Sequence, residues 1–314
     1  MHGAKEGRPR FGRSDRSVTF VTPPRLSSFP NERDQIEYSS RSIVFRREGE
    51  GILRVWGRPE RPWVLGVEPE GKRWRVQAWG GSPADARRAV RELFSLDHPI
   101  EAFYGLARVE PVLSGTIRQF RGLRIPRDPS LYEALIHSII SQQLSVRVAT
   151  VLKERLFAVT DAVVEVENVE VPHVPGPASV IALGAEGMRR LGLSQVKGRS
   201  LVALAERQVR GGLDQPDWGS APLDTVVGRL DELPGVGRWT AENALLRGVG
   251  RPDVFVAGDL AIRLALEGYR VVPKGSPEER LRRWCNRCYP GWGSYVTLYL
   301  WRRWVSERMM EPAG

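Results

Sequence analysis

The chain has 314 residues, enough for two or three domains, and its lysines and arginines outnumber its acidic residues by 47 to 37. The net charge of +10 favours polyanionic partners, although a GC-rich genome would produce the same excess of arginine. No apolar run approaches the roughly 20 residues of a membrane helix. Residues 1–16 are too polar for a signal peptide, so we expect a cytoplasmic protein.

The first part of the chain contains a tail and a small module. Residues 1–35 combine Gly, Pro, Arg and Ser without apolar periodicity and are predicted to form a flexible basic tail. Residues 36–111 are predicted to form an α/β module, because four segments alternate with period two before a helix that Ser82 would cap. The segments are residues 43–45, 52–56, 63–67 and 74–79, and the helix is residues 83–94.

Residues 112–314 are predicted to be almost entirely helical, because apolar residues recur at helical spacing. The predicted helices are residues 131–157, 179–191, 197–209, 225–230, 239–246, 260–266, 277–288 and 294–308. Residues 163–171 alternate weakly, but Pro172, Pro175 and Pro177 indicate an insertion loop. The expected fold class is therefore α+β, with a small N-terminal antiparallel sheet and helices followed by a mostly helical region in two lobes.

The stretch LPGVGRWTA at residues 233–241 predicts a glycine hairpin between two helices. Pro234 ends the first helix, and Gly235 and Gly237 allow backbone conformations closed to other residues. Arg238 opens the second helix, whose first amides and dipole form an anion site. Such a site holds a phosphate without reading sequence, and the same pattern also suits a plain corner between two helices.

Asp259 follows at the predicted start of another helix. An aspartate between a glycine and an apolar helical run is first of all a helix N-cap. The apolar residues 254–257 before it are expected to pack in the core, which would fix the carboxylate within reach of whatever the hairpin holds. Amides that hold a nucleic-acid backbone, with one acid beside them, indicate chemistry on DNA.

Together, these residues resemble the helix-hairpin-helix DNA glycosylase superfamily, whose signature joins the LPG[VI]Gxx[TV]A hairpin to an aspartate one helix later. Three further stretches resemble its 3-methyladenine DNA glycosylase II branch: LIHSIISQQLS at 135–145, DLAIR at 259–263 and PGWGSY at 290–295. The resemblance covers residues 112–308 and implies a helix-hairpin-helix core. Members of that branch carry a TATA-binding-protein-like half-domain before it, which agrees with the predicted module.

The resemblance implies that a target nucleotide is flipped out of the duplex and that Asp259 stabilises the positive charge that grows on its sugar. Trp239 and Trp292 match the two tryptophans that line the family's base pocket, where indole faces attract a cationic alkylated purine. Tyr295 is expected in the same pocket. Asn243 stands where relatives carry a pocket tyrosine, which would alter base selectivity.

The position of Trp239 also bears on the reaction type. Lyase members of the superfamily place a lysine nucleophile there, and an indole cannot form an imine, so we expect a monofunctional glycosylase that leaves an abasic site. Those relatives often carry a four-cysteine iron–sulfur cluster, which Cys285 and Cys288 alone cannot supply. We expect no metal site and no cofactor, and leave open a monovalent cation at the hairpin.

The expected partner is double-stranded DNA that contains damaged bases, bound by a monomer without membrane association. The residues expected to contact DNA are Gly235, Val236, Gly237, Arg238, Thr240, Gln142, Gln143 and Leu144. Some relatives insert an apolar wedge into the vacated base stack, and Gln143 and Leu144 are the candidates here. His137 is interpreted as a packed or surface residue rather than a ligand.

Two alternatives remain open. The same fold could act on uracil, hypoxanthine or 8-oxoguanine, because the rim of the pocket decides which lesion enters. The chain could also be a helix-hairpin-helix DNA-binding protein without catalysis. Asp259, Trp239 and Trp292 oppose the second alternative, because a DNA clamp needs none of them.

Overall fold

The structure, a computed structural model, describes residues 8–21, 45–48, 51–58, 61–70, 73–108, 110–213 and 215–310. It divides into two compact units. Among the described residues, those of 8–92 and 139–213 form the first, here called the sheet unit, and those of 93–138 and 215–310 form the second, the hairpin unit. This division does not coincide with the predicted boundary between residues 111 and 112.

The sheet unit contains a five-stranded antiparallel sheet in the order β2-β6-β5-β4-β3. Its strands are β2 (Arg16–Val21), β3 (Phe45–Glu48), β4 (Gly51–Arg58), β5 (Arg61–Glu70) and β6 (Arg73–Trp79). The short strand β1 (Arg10–Phe11) belongs to a second sheet. In β6, Trp74, Val76 and Ala78 are buried while Arg73 and Arg75 are exposed, which is the alternation that predicted a strand. Residues 43–44 of the first predicted segment lie outside the described residues.

The prediction of a flexible tail is wrong for residues 10–21. Strand β2 pairs with β6 along its whole length, with Arg16 opposite Trp79 and Val21 opposite Trp74. The alternating, β-branched run of residues 17–21 carries a strand signal, but the Gly, Pro and Arg around it diluted the signal in the composition. Residues 1–7 and 22–35 of the predicted tail lie outside the described residues.

A second sheet replaces the predicted insertion loop. Strands β7 (Val163–Val166) and β8 (Val169–Pro172) form a hairpin, and β1 pairs in parallel with β7. Glu167 and Asn168 at its tip have positive φ angles of 46° and 70°, as a two-residue hairpin turn requires. The three prolines stand at or beyond the end of β8, so they bound the hairpin rather than prevent it.

Twelve α-helices occur in the described part of the chain. They are α1 (Pro83–Leu93), α2 (Ile100–Ala107), α3 (Pro111–Phe120), α4 (Leu131–Ser141), α5 (Val146–Val159), α6 (Pro177–Arg190), α7 (Gln195–Val209), α8 (Leu223–Asp231), α9 (Arg238–Ala244), α10 (Leu260–Gly268), α11 (Glu278–Cys288) and α12 (Gly293–Met310). The sheets and helices confirm the α+β class. None of these helices is long and apolar enough to cross a bilayer.

The ends of the helices show where the predicted and observed helix boundaries agree and where they differ. Ser82 caps α1 as predicted, since its Oγ accepts the amide of Asp85 at 3.1 Å. The predicted helix over residues 131–157 is interrupted at residues 142–145, where Gln143 adopts a φ of 54° and Ser145 caps α5. A left-handed residue and a serine N-cap end one helix and start the next.

Candidate functional site

The predicted glycine hairpin is present between α8 and α9. The Val236 amide donates to the Leu233 carbonyl at 3.0 Å, and both side chains are buried, so the turn is anchored to the core by its apolar residues. Gly235 has a φ of 76°, a conformation that favours glycine. Gly235 and Gly237 are exposed. The turn therefore presents backbone to solvent while the side chain of Val236 points inward, which leaves only its backbone for a DNA contact.

Helix α9 begins directly after this turn. Gly237 is its N-cap and has no side chain, and the first intrahelical bond runs from the Ala241 amide to the Gly237 carbonyl at 3.0 Å. In general, the first amides of a helix have no acceptor within the helix, and this is the condition for anion binding at a helix start. The Thr240 side chain is buried, so a contact of Thr240 with DNA would also have to come from its backbone.

Arg238, exposed and predicted to contact DNA, is held by two acids. Its Nη2 donates to Asp224 Oδ1 at 2.7 Å and its Nε donates to Glu242 Oε1 at 2.9 Å. Glu242 is 0% exposed and also accepts from Arg282 Nη1 at 2.6 Å. Arg282 donates in turn to the carbonyl of Phe255 at 2.9 Å. This chain of ion pairs, centred on the buried Glu242, links the hairpin to the segment that leads to Asp259.

Asp259 is the N-cap of α10, as predicted, and its carboxylate receives four N–H groups. Oδ1 accepts from the amides of Ala261 and Ile262 at 3.0 and 3.3 Å and from Trp301 Nε1 at 3.1 Å. Oδ2 accepts from Trp239 Nε1 at 3.3 Å. Three donors therefore fix Oδ1, whereas Oδ2 has a single long hydrogen bond and keeps most of its capacity to interact with a positive charge.

Helix α12 holds the segment that precedes Asp259. Residues 254–257 are buried as predicted. The Val254 amide donates to Ser294 Oγ at 3.1 Å, and the Val256 amide donates to Thr297 Oγ1 at 3.2 Å. A Cβ on Gly293 would lie 2.8 Å from the Phe255 nitrogen, so only glycine permits this approach. The PGWGSY stretch thus supports the position of Asp259.

Trp292 and Tyr295 lie together but differ in accessibility. Their rings are 5.4 Å apart and edge to face, and Trp292 is half-buried. Tyr295 is 0% exposed and its hydroxyl bonds His98 Nδ1 at 2.9 Å. The Tyr295 ring packs against Trp292 within the core, and its predicted place in the base pocket stays a prediction. Burial raises the pKa of Tyr295 and keeps the phenol neutral.

Trp239 and Asn243 are joined along α9. Trp239 is half-buried, and Asn243 Nδ2 donates to the Trp239 carbonyl at 2.9 Å. Asn243 is nearly enclosed, so its amide stiffens the helix under Trp239. Its predicted influence on base selectivity stays a prediction.

Gln142, Gln143 and Leu144 belong to the sheet unit and form the turn between α4 and α5. Gln143 and Leu144 are exposed, and Gln142 is half-buried. The two candidate wedge residues therefore reach solvent, as a DNA contact requires.

One group in the described ranges has the side chains and spacing to hold a metal ion. Ligand atoms of Asp128, Glu133 and His137 lie within 4.8 Å of one another. His137 Nε2 is 3.6 Å from Glu133 Oε1, and Arg247 Nε is 4.0 Å from Asp128 Oδ2, so a cation of the protein already faces the acids. This group is explained as buried polar packing. Cys285 and Cys288 both lie on α11, and neither forms a disulfide.

The roles of three residues in the site could not be predicted from the sequence. Trp301, Glu242 and Arg282 each depend on a partner about 40 positions away in the chain. Glu242 adjoins the hairpin motif, but an ionisable residue at a helical position gives no sign of full burial. Trp301 lies on α12 beyond the PGWGSY stretch, and its spacing from that motif gives no sign that it faces Asp259.

Comparison with known proteins agrees with this geometry. Residues 136–290 match the family described as HhH-GPD superfamily base excision DNA repair protein. The chain is 24% identical over 213 residues to DNA-3-methyladenine glycosylase of Bacillus subtilis, covering 68% of this chain and 70% of that protein. It is 32% identical over 221 residues to the probable bifunctional transcriptional activator/DNA repair enzyme AlkA of Mycobacterium tuberculosis, covering 69% of this chain but only 42% of that protein.

The fold also matches a solved structure along most of its length. The 3-methyladenine DNA glycosylase from Archaeoglobus fulgidus superposes with a TM-score of 0.78 at 20% identity, covering 91% of this chain and 98% of that one. This similarity confirms the fold, including the N-terminal sheet. The chain belongs to the HhH-GPD superfamily of base excision DNA repair proteins, within its 3-methyladenine DNA glycosylase branch.

Proposed function

We propose that this protein is a monofunctional DNA glycosylase that flips out alkylated purines of the 3-methyladenine and 7-methylguanine type and hydrolyses their N-glycosidic bonds. The Bacillus subtilis relative is named for 3-methyladenine. The observation that carries the proposal is the Asp259 carboxylate, fixed at the start of α10 by four N–H donors, one of which is the indole of Trp239.

In the reaction, the bond between the sugar C1′ and the base nitrogen breaks and its electron pair leaves with the base. Positive charge then grows on the sugar ring, and the negative charge on Asp259 Oδ2 stabilises it. A water adds to C1′, and its proton passes to the carboxylate or to solvent. The donors on Oδ1 keep the carboxylate in one orientation throughout, so no reorganisation is needed when the charge develops.

The preference for alkylated purines follows from charge. A purine methylated at N3 or N7 is cationic in the nucleotide and leaves as a neutral base, so it needs little acid catalysis. Attraction between such a ring and an indole face contributes about 0.5–2 kcal/mol. Trp239 and Trp292, both half-buried, have the exposure that such a contact requires.

The absence of a lyase step follows from the residue after the hairpin. Strand cleavage by this superfamily uses an amine nucleophile, and Trp239 offers no amine at that position. The proposed reaction therefore ends at an abasic site and uses no cofactor of the protein. A monovalent cation bound to the hairpin carbonyls stays part of the proposal, as a structural aid to phosphate binding.

Duplex DNA is the proposed partner, bound by a monomer. The exposed backbone at Gly235 and Gly237 and the start of α9 would hold phosphates of the strand that carries the lesion. Affinity for a duplex with an abasic-site analogue should fall steeply as salt rises, because phosphate contacts release counterions. Binding that hardly changes between low and moderate salt would exclude the hairpin and the start of α9 as the DNA face.

The deciding experiment is a panel of duplexes with different modified bases, assayed with and without alkali. Release of 3-methyladenine and 7-methylguanine, with strand nicks only after alkali, is the expected result. Release only of uracil, hypoxanthine or 8-oxoguanine would shift the substrate class. Tight binding without any release would make the protein a DNA clamp.

A pair of variants tests the role of Asp259. Asp259→Asn keeps the N-cap but removes the charge and should reduce single-turnover excision about 100-fold or more. Asp231→Asn is the matched control, because Asp231 is an exposed aspartate at the end of α8. An Asp259→Asn protein that excises at the wild-type rate would exclude the proposed mechanism.

A further inference from the structure

The turn between α4 and α5 is strained and exposed. Gln143 has a backbone φ of 54°, which residues other than glycine rarely adopt. Leu144 is 37% exposed, and Val146, the first residue of α5, is 85% exposed. Local hydrogen bonds are long, with the Gln142 amide 3.4 Å from the Ile139 carbonyl and the Leu144 amide 3.3 Å from the Ser141 carbonyl. The turn therefore needs support from elsewhere in the sheet unit to keep this conformation.

Lys197 supplies that support. Its Nζ donates to the Ile140 carbonyl at 2.9 Å and to the Gln142 carbonyl at 2.6 Å. These carbonyls lie at the C-terminal end of α4, where a helix lacks its own donors and its dipole favours a cation. One ammonium group thus satisfies the end of α4 and ties the first residue of the turn to α7.

The start of α7 is itself firmly placed. Ser194 caps the helix by accepting the Lys197 amide at 3.3 Å. A Cβ on Gly198 would lie 3.0 Å from the Ala185 carbonyl, so α7 packs closely on the backbone of α6 at this point. Lys197 therefore reaches the turn from a fixed base rather than from a mobile surface.

The residue type matches this task. The 47 basic residues of the chain include only five lysines, and one of them stands here. A compact ammonium with three rotatable N–H donors can serve two carbonyls that converge on one point, whereas a planar guanidinium is suited to carboxylates and phosphates. Lys197 is half-buried, which also distinguishes it from a lysine whose task is to meet DNA from solvent.

We propose that Lys197 is a positioning residue that pre-organises residues 142–145, so that Gln143 and Leu144 enter the DNA stack when a nucleotide is flipped out. The inference rests on the proposed function, because it assigns Lys197 to the flipping step of that reaction. A turn already held in its DNA-bound conformation avoids the entropic cost of ordering on binding. Without Lys197, the turn would relax and flipping would be less favourable, while the chemistry at Asp259 would be unchanged.

The test compares three variants. Lys197→Met removes the donors at similar length, Lys197→Arg keeps the charge but not the compact geometry, and Arg199→Met removes one charge from an exposed position on the same helix. Single-turnover excision of one alkylated purine is measured when it is paired with its complement and when it is mispaired. Mispairing lowers the cost of flipping by itself.

We expect Lys197→Met to slow excision about tenfold in the paired duplex and about threefold or less in the mispaired one. Lys197→Arg should lie between Lys197→Met and the wild type, and Arg199→Met should match the wild type. Hydrogen exchange of the amides in residues 142–148 should accelerate in Lys197→Met alone. Equal slowing of both duplexes would overturn the inference, since the loss would then lie in the chemistry or in the overall fold.

Salt dependence separates positioning from direct phosphate binding. If Lys197 contacted a phosphate, Lys197→Met would reduce the slope of log affinity against log salt by about one. We expect the wild-type slope, and a reduced slope would assign Lys197 to DNA contact and overturn the inference. A wild-type protein that excises no alkylated purine would instead defeat the proposed function itself. The exchange measurement would then still report whether Lys197 holds the turn.

Discussion

Trp301 donates its indole N–H to Asp259 Oδ1 at 3.1 Å, from a helix that also holds the chain segment before Asp259. This bond completes the set of three donors on Oδ1. Trp239 donates to the other oxygen, so two indoles restrain the carboxylate from different helices. In the proposed mechanism, their joint effect is to hold Oδ2 toward the reacting sugar.

Replacement of Trp301 by phenylalanine should therefore lower the rate of excision rather than the affinity for DNA. Loss of one hydrogen bond to a charged group costs about 1.5–3 kcal/mol, so kcat should fall roughly 10- to 100-fold with KM nearly constant. Trp284→Phe is the control, because Trp284 is a buried indole that packs on Phe255 and Tyr289. A Trp301→Phe protein with normal kcat, or one that loses only affinity, would contradict the assignment.

Trp239 has two separable tasks in the proposed mechanism, and two substitutions divide them. Trp239→Phe removes the N–H but keeps an aromatic face, and the 3.3 Å bond it loses is long, so excision should fall only about threefold. Trp239→Leu also removes the face and should cost a further 0.5–2 kcal/mol, roughly 2- to 30-fold, for a cationic purine. The measurement is single-turnover release of 7-methylguanine. Equal rates for the two variants would exclude a contribution from the indole face.

How far the sequence predicts this site depends on how local each interaction is. The hairpin and the N-cap role of Asp259 follow from residues within one turn of each other, and both were predicted. Three interactions join residues about 40 to 60 positions apart: the bond of Asp259 to Trp301 on α12, the ion pairs between Glu242 and Arg282, and the pairing of β2 with β6. No spacing rule covers such contacts, because they depend on how the helices and strands pack. Tyr295 shows the same limit, since its motif position gives no sign that packing buries its ring completely.

Gly293 offers a test of the packing that positions Asp259. In Gly293→Ala, the new methyl group would lie under 3.0 Å from backbone atoms of Asp253 and Phe255, so one segment must shift. Overpacking of this kind costs about 1–3 kcal/mol in the free energy of unfolding. Excision should fall as well, because the displaced segment leads to Asp259.

Gly228→Ala is the matched control in the same unit. Gly228 is exposed within α8, and a Cβ there would meet nothing within 4 Å. Alanine should therefore raise the free energy of unfolding by about 0.5–1 kcal/mol through helix propensity. Urea denaturation of both variants checks the pair, and a Gly293→Ala protein as stable as Gly228→Ala would show that the two segments can separate without cost.

His98 makes the stability of the hairpin unit depend on pH. Burial, with smaller effects from the Arg127 and Arg124 guanidinium groups, lowers the pKa of His98 from 6.5 to about 4. Between pH 6.5 and about 4, His98 therefore binds a proton in the unfolded chain but not in the folded one. Neutral His98 therefore contributes about 3 kcal/mol to the free energy of unfolding. This contribution is complete above pH 6.5 and is lost as the pH falls toward 4.

The variant His98→Gln keeps a polar group near the Tyr295 hydroxyl but cannot titrate. It should be less stable than the wild type at pH 7, and the difference in the free energy of unfolding should narrow progressively below pH 6.5. Acidic side chains titrate in the same interval but contribute almost equally to both proteins, so the difference isolates His98. Urea denaturation from pH 7 to pH 4.5 measures it, and a difference that stays constant with pH would show that folding does not lower the pKa of His98.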